Sequence, residues 1–346
     1  TSCVITYDEA GTISYDGKWT DQDLYLSLTS KGNYKYGINS YRYKIGKEPW
    51  NSIRTENDAA TVHLTKAVGN KSINIEAYDG LNQVQKTTCT SSGGTLVKLD
   101  KTVISGVIID AKETDGTAVK NNGWSSTDTI LTAVVNPSES ASGYIYTWYK
   151  DGKVIPGATD STYTAKEAGT YKVEITNGVG KQHVTSEEFV IKIDRKAPTC
   201  ELVVTGQKSG EWYIGDVTVD FKTVNDLEED GALGSGIKKQ ELSHKIINTD
   251  STLTTVTGTV TDNVGRKGTC SVAIKRDAKV PSAKPKQPTL PLGNGDYDFK
   301  DNIDVDFGPS GGTIVCNPPK SLKTGTYTVT CTLTSNSSGK QSTVSF

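Results

Sequence analysis

The chain has 346 residues, a formal charge of −2 and a pI near 6.0, so its electrostatics give no reason to expect nucleic acid or an anionic membrane as a partner. Hydrophobic residues make up 34% and the mean hydropathy is −0.45, enough for several small cores and too little for one large one. No stretch approaches the ~20 apolar residues of a membrane helix, and Thr1 has neither an initiator Met nor a signal-peptide core behind it, as expected of an internal or processed segment with no membrane insertion.

The first elements read as strands. Cys3-Val4-Ile5 is followed by a glycine turn and an aromatic, Gly17-Lys18-Trp19, and then by Asp23-Leu24-Tyr25-Leu26-Ser27-Leu28, whose period of two puts the leucines on one face. A glycine loop at Tyr36-Gly37-Ile38 leads into Tyr41-Arg42-Tyr43. His63 alternates with apolar residues in Thr61-Val62-His63-Leu64 and is expected to face solvent rather than to act in catalysis. The turn Tyr78-Asp79-Gly80-Leu81-Asn82 precedes a last strand near Cys89, because Asp and Asn bond their own backbone and Gly takes positive φ.

Val97-Lys98-Leu99-Asp100-Lys101 then closes the stretch, and equivalents follow at Ile191-Lys192-Ile193-Asp194-Arg195-Lys196-Ala197-Pro198 and Ile274-Lys275-Arg276-Asp277-Ala278-Lys279-Val280-Pro281. The spacing, roughly 85 to 100 residues, is one β-sandwich. Four domains are therefore expected, at 1–100, 101–197, 198–280 and 281–346, with short D-x-K-x-P linkers.

The second stretch differs from its neighbours. Tyr144-Ile145-Tyr146-Thr147-Trp148-Tyr149-Lys150 and Ala168-Gly169-Thr170-Tyr171-Lys172-Val173 look like the core-Trp and tyrosine-corner strands of an immunoglobulin domain, with Val173 standing where many members carry a cysteine. Trp148 is expected to pack on Leu131 or Ala133 instead of on sulfur.

The third stretch repeats the first: Cys200, Gly210-Glu211-Trp212, Asp216-Val217-Thr218-Val219-Asp220-Phe221, Gly234-Ser235-Gly236-Ile237, and the turn Thr261-Asp262-Asn263-Val264-Gly265 before Cys270. The fourth is shorter, with a Pro- and Lys-rich opening, Ser282 to Pro291, that reads as a linker. Its Ile303-Asp304-Val305-Asp306-Phe307 run alternates, with the aspartates outward.

This pattern of Trp, D-x-V-x-V-x-F, S-G-I and a D-N-x-G turn resembles the bacterial immunoglobulin-like repeats of large Gram-positive cell-surface proteins. The resemblance implies an all-β chain of tandem immunoglobulin-like β-sandwiches in a beads-on-a-string array. It covers the first and third stretches well and the fourth in part.

Six cysteines by themselves leave the connectivity open. The correspondence between stretches pairs Cys3 with Cys89 and Cys200 with Cys270, which leaves Cys316 for Cys331. Bridges of this kind persist in an oxidising compartment. Metal binding by cysteine is disfavoured, since no C-x2-C pair occurs and His63, His183 and His244 are scattered. The absence of Met fits exposure to oxidants outside the cell.

No nucleophile elbow, H-E-x-x-H helix or Walker loop occurs, so no enzyme is expected. Asp226, Glu228, Glu229 and Asp230 form an acidic loop whose oxygens would suit calcium, but without D-x-D-x-D-G spacing a solvated insertion is the preferred reading, and no cofactor is expected. Trp50 and Trp124, in polar and turn-like surroundings, are the candidate platforms for stacking a sugar ring, with the Tyr34 and Tyr36 pair beside them.

The function expected is that of a non-catalytic extracellular stalk or adhesin segment, secreted or cell-surface anchored, whose partner is a host or cell-surface glycan or protein. The alternatives are carbohydrate-binding accessory modules of a larger glycosidase and a pilus, filament or phage decoration subunit able to form a homopolymer.

Overall fold

The computed structural model describes residues 1–30, 36–55, 58–289, 298–317 and 326–346. Apart from a short 3-10 turn at Phe299–Asn302, the regular structure among them is β-strand, and no helix is long and apolar enough to cross a membrane. The chain divides into two compact units, Thr1–Ile193 and Asp194–Phe346. Each unit contains two separate hydrophobic cores, so the protein is an all-β chain of tandem modules that each bury their own centre.

In the first module, Ser2–Thr6, Leu24–Thr29 and Ala59–Leu64 form one antiparallel sheet. A second sheet is built from Asn51–Arg54, Ile38–Ile45, Gly69–Asp79 and Val84–Thr88, with Leu96–Leu99 pairing the start of Gly69–Asp79. Leu24, Leu26 and Leu28 are buried together, as the period of two requires, and share a core with Ile73, Ile75 and Ala77 of the second sheet. Cys3 is bonded to Cys89, which sits just past Val84–Thr88 and not in the last strand.

The second module has the immunoglobulin arrangement. Gly106–Glu113, Thr129–Asn136 and Thr162–Ala165 make one sheet; the other runs Gly123–Ser125, Phe189–Ile193, Gly169–Asn177, Tyr144–Lys150, Lys153–Val154. Trp148 lies in register opposite Val173 and shares a core with Leu131 and Ala133. Its indole Nε1–H donates to the Asp160 carbonyl oxygen at 2.9 Å, and the Tyr171 hydroxyl donates to the Glu167 carbonyl oxygen at 2.8 Å. Both rings thus bury their apolar bodies and satisfy their polar ends, which is what a core aromatic needs when no disulfide helps it.

The third module packs the sheet Thr199–Thr205, Val217–Asn225, Ile246–Ile247 against a five-stranded one led by Ser251–Asp262 and Lys267–Arg276. Cys200 and Cys270 belong to different sheets, and their bond ties the two layers. Gly258 lies in register opposite Cys270, and a Cβ there would come within 2.8 Å of the Phe221 ring and 3.1 Å of Cys270 Sγ. Any larger residue would have to displace the Phe221 ring and crowd the disulfide.

The fourth module corrects two expectations. Ser282–Pro285 is a strand paired with Ile303–Asp306, not linker, because Ala283 packs onto the core and proline is tolerated at the strand's end; Pro291 lies outside the described residues. Val305 is 41% exposed although Ile303 is buried, since the two-stranded ribbon is too narrow to cover it. Asp304 and Asp306 are exposed. Cys316 and Cys331 are bonded directly across Gly312–Asn317 and Thr330–Ser335.

Candidate functional site

The linker aspartates turn inward. Asp100, Asp194 and Asp277 are each 0% exposed, and each carboxylate accepts hydrogen bonds from a Ser-Gly turn of the module that follows it. The Asp100 N–H donates to the Thr20 carbonyl oxygen of the first module at 2.9 Å. Its Oδ2 accepts from the Ser142 N–H at 3.0 Å and from the hydroxyls of Ser140 and Ser142, while Oδ1 accepts from the Thr102 N–H at 2.9 Å.

Asp277 repeats the arrangement. Its N–H donates to Tyr213 O at 2.9 Å, and its Oδ2 accepts from the N–H and hydroxyl of Ser310 in the fourth module. Thr20 and Tyr213 each follow the tryptophan that opens their module, so the two junctions are built alike. Asp194, at the start of the second unit, accepts from the Ser235 N–H at 2.7 Å. The short, rigid Asp side chain suits this role because two carboxylate oxygens can satisfy several donors in a confined space.

Electrostatics at Asp100 follow from these bonds. Burial pushes its pKa up, but the Ser140, Ser142 and Thr102 donors outweigh burial and hold the carboxyl well below the usual carboxylate range. Lys181 and Asp21 add an ion pair at 2.5 Å between the first two modules, and Lys340 Nζ donates to the Ala278 carbonyl oxygen at 2.7 Å in the second unit.

The acidic loop is taken apart by the fold. Asp226 turns inward, where it meets Asp194 and Asp262, and the three carboxylates place one oxygen each within 4.8 Å of one another. Glu228, Glu229 and Asp230 do not join them. Glu228 accepts from the Arg195 N–H at 2.9 Å, Asp230 accepts from the Ala232 N–H at 2.9 Å, and Glu229 is exposed. The loop is closed by its own backbone, with Glu228 and Ala232 bonded at 2.9 Å, and of its acids Glu229 and Asp230 are exposed while Glu228 is half-buried. Burial pushes the Asp226 pKa up, with Asp194 and Asp262 adding repulsion against the opposing Gly236 N–H.

Trp50 and Trp124 lie in different modules. The Arg42 guanidinium sits 4.7 Å from the centre of the Trp50 ring and Lys44 Nζ lies at 5.5 Å, so one face of that ring is already covered. Arg42 is itself paired with Glu76, which fixes it there. Trp124 belongs to the short strand Gly123–Ser125, parallel to Phe189–Ile193, rather than to a turn, and Lys192 Nζ is 5.8 Å from its ring. Tyr36 is 56% exposed, while Tyr34 falls outside the described residues. His63 is exposed, stacks on Tyr25 and meets Asp23 at 2.7 Å.

Sequence reasoning noticed the repeated linker aspartates as boundary marks and gave them no role. The signal was present in the recurrence of Ser-Gly at Ser142-Gly143, Ser235-Gly236 and Ser310-Gly311, one turn for each linker acid.

No family model matches the chain. A 52-residue stretch, 14% of this chain, is 42% identical to a decoration protein of Escherichia phage T5, and the chain spans about a third (32%) of the length of that relative. Among solved structures, three N-terminal domains of the highly immunogenic outer capsid protein of bacteriophage RB49 align over 80% of this chain and 98% of theirs, at 11% identity and a TM-score of 0.30. A tetra-tandem repeat from the extending region of a large adhesion protein aligns over 100% and 98%, at 12% identity and a TM-score of 0.28. A Bacteroides ovatus glucan-utilisation protein, SGBP-B, solved with a mixed-linkage heptasaccharide, aligns over 73% and 63%, at 11% identity and a TM-score of 0.18. With such TM-scores the architecture rests on the sheets described above.

Proposed function

We propose that this chain is a non-catalytic extracellular stalk or adhesin segment of a bacterial surface protein, in which Asp100 and Asp277 limit bending between the two modules of each unit so that a binding surface is held away from its base. The observation that carries the reading is the double anchoring of Asp100 and Asp277, by backbone to one module and by carboxylate to the next. A freely jointed string would leave such residues in water. Three disulfides with no free cysteine fit an oxidising location.

A second reading is favoured by one observation, the 42% identity over 52 residues to a phage decoration protein. Under it the chain coats a particle, and the same clamped junctions hold modules out from that surface. Brief trypsin treatment of intact native cells separates the two. Release of peptides of this chain from the cell surface supports the stalk, whereas recovery of the chain in sedimented phage-like particles, with none released from cells, would overturn it.

A further inference from the structure

The third module gathers buried negative charge where its neighbours place neutral groups. The same hairpin position is held by Asp79, Asn177, Asp262 and Ser335, each buried, and each donating its N–H back across the turn to Gln83, Gln182, Arg266 and Lys340 respectively. In the modules entered by Asp100 and Asp277 that position is the neutral Asn177 or Ser335. In the module entered by Asp194 it is Asp262, and a further carboxylate, Asp226, arrives from the end of the strand Val217–Asn225.

One oxygen of each acid is committed to backbone. Asp194 Oδ2 accepts from Ser235 at 2.7 Å, Asp226 Oδ2 from Gly236 at 2.6 Å, and Asp262 Oδ1 from Arg266 at 2.8 Å. Asp194 Oδ1 and Asp262 Oδ2 are sealed from solvent and have no hydrogen-bond partner, on residues that are both 0% exposed. Unpaired carboxylate oxygens at such depth are strongly unfavourable, and like charges this close raise the cost further. Arg266 shares the turn, and its Nε donates to the Asp194 carbonyl oxygen at 3.2 Å. Space around Asp226 is also reserved: a Cβ on Gly234 would lie 2.7 Å from its Oδ2.

We propose that Asp194, Asp226 and Asp262 bind a calcium ion. The cluster offers carboxylate oxygen alone, with neither His nor Cys, which selects a hard cation. Three carboxylates exceed the one or two that magnesium usually takes, and calcium accepts carboxylates in mono- or bidentate mode with a flexible geometry, whereas magnesium demands a near-ideal octahedron. The ion ties together the entry linker, the end of Val217–Asn225 and the turn after Ser251–Asp262. It is independent of the functional reading above, since a stalk and a particle coat would both carry it.

The test uses the full chain freed of metal with EDTA, calcium titrated calorimetrically, and scanning calorimetry with and without about 1 mM calcium, the range typical of extracellular sites. The expected results are saturable one-site binding and an upward shift of about 5 °C or more in a transition of the second unit. Asp262→Asn, which installs the residue found at Asn177, is expected to weaken binding at least about tenfold through lost ligand charge. The same variant should melt above the calcium-free parent, because it removes repulsion; a folding defect would move melting the other way. Identical melting in calcium and EDTA with no binding heat overturns the site. An equal response to magnesium overturns calcium as its occupant, and parent affinity in Asp262→Asn overturns the assignment of residues.

Discussion

Ser142 donates its backbone N–H to Oδ2 of Asp100 at 3.0 Å across 42 residues of chain, and the contact joins the second module to a residue whose own N–H is held by the first. Removing the carboxylate strands several donors at once. Asp100→Ala should destabilise the junction by about 2–4 kcal/mol, because buried donors left without an acceptor lose their full hydration. The measurement is small-angle scattering of residues 1–193 alongside thermal melting: the variant should widen the distance distribution between the modules, while Thr102→Ala, which leaves the side-chain acceptor intact, should not.

The same residue sets an acid limit. Its folded pKa is lowered, so the stability it contributes is present above the unfolded value near 3.9 and is lost as pH falls through the folded pKa. From pH 7 to 5 this group should leave the melting temperature of the first unit unchanged. Below about pH 4 the melting temperature should fall, and Asp100→Asn should lose part of that slope while being less stable at pH 7. Parallel curves for parent and variant down to pH 2 would rule the role out.

Disulfide reduction should divide the modules. Cys3–Cys89 and Cys200–Cys270 close loops of 86 and 70 residues, worth about 4–5 kcal/mol each in the chain-entropy model. Reduction is expected to lower melting of the first and third modules and to spare the second, which has no bridge. In single-molecule pulling, reduction should add about 300 Å and about 250 Å of contour length to the respective unfolding steps, at about 3.5 Å per residue. An equal loss in every module would contradict this division.

Without a bridge, the second module depends on its aromatic core. Trp148→Ala should cost about 3–5 kcal/mol, and Trp148→Phe less, since the ring is partly replaced and the bond to Asp160 is lost. Circular dichroism melts of residues 101–197 would check the order. A loss of less than about 1 kcal/mol for the alanine variant would mean that Val173 and Leu131 repack around the gap.

What the amino-acid sequence determined by itself is what recurs or alternates along it. The period of two buries Leu24, Leu26 and Leu28, and the spacing of Trp148, Tyr171 and Val173 marks an immunoglobulin core, because strand geometry translates local order directly into facing. The internal repeat likewise aligned Cys3 with Cys200 and Cys89 with Cys270. What only the tertiary structure decided is which distant polar groups meet. Asp226 looked like one of four adjacent acids, yet its partners are Asp194 and Asp262, delivered by a linker and a hairpin turn, while Glu228 and Asp230 bond backbone N–H groups elsewhere and Glu229 is exposed. Trp50 looked open in its Pro-Trp-Asn context until Arg42 came across from the neighbouring strand to cover it. Hydrophobic facing is a property of a strand and can be read locally. The partner of a buried charge is set by the sheets that close around it, and no local pattern carries that information.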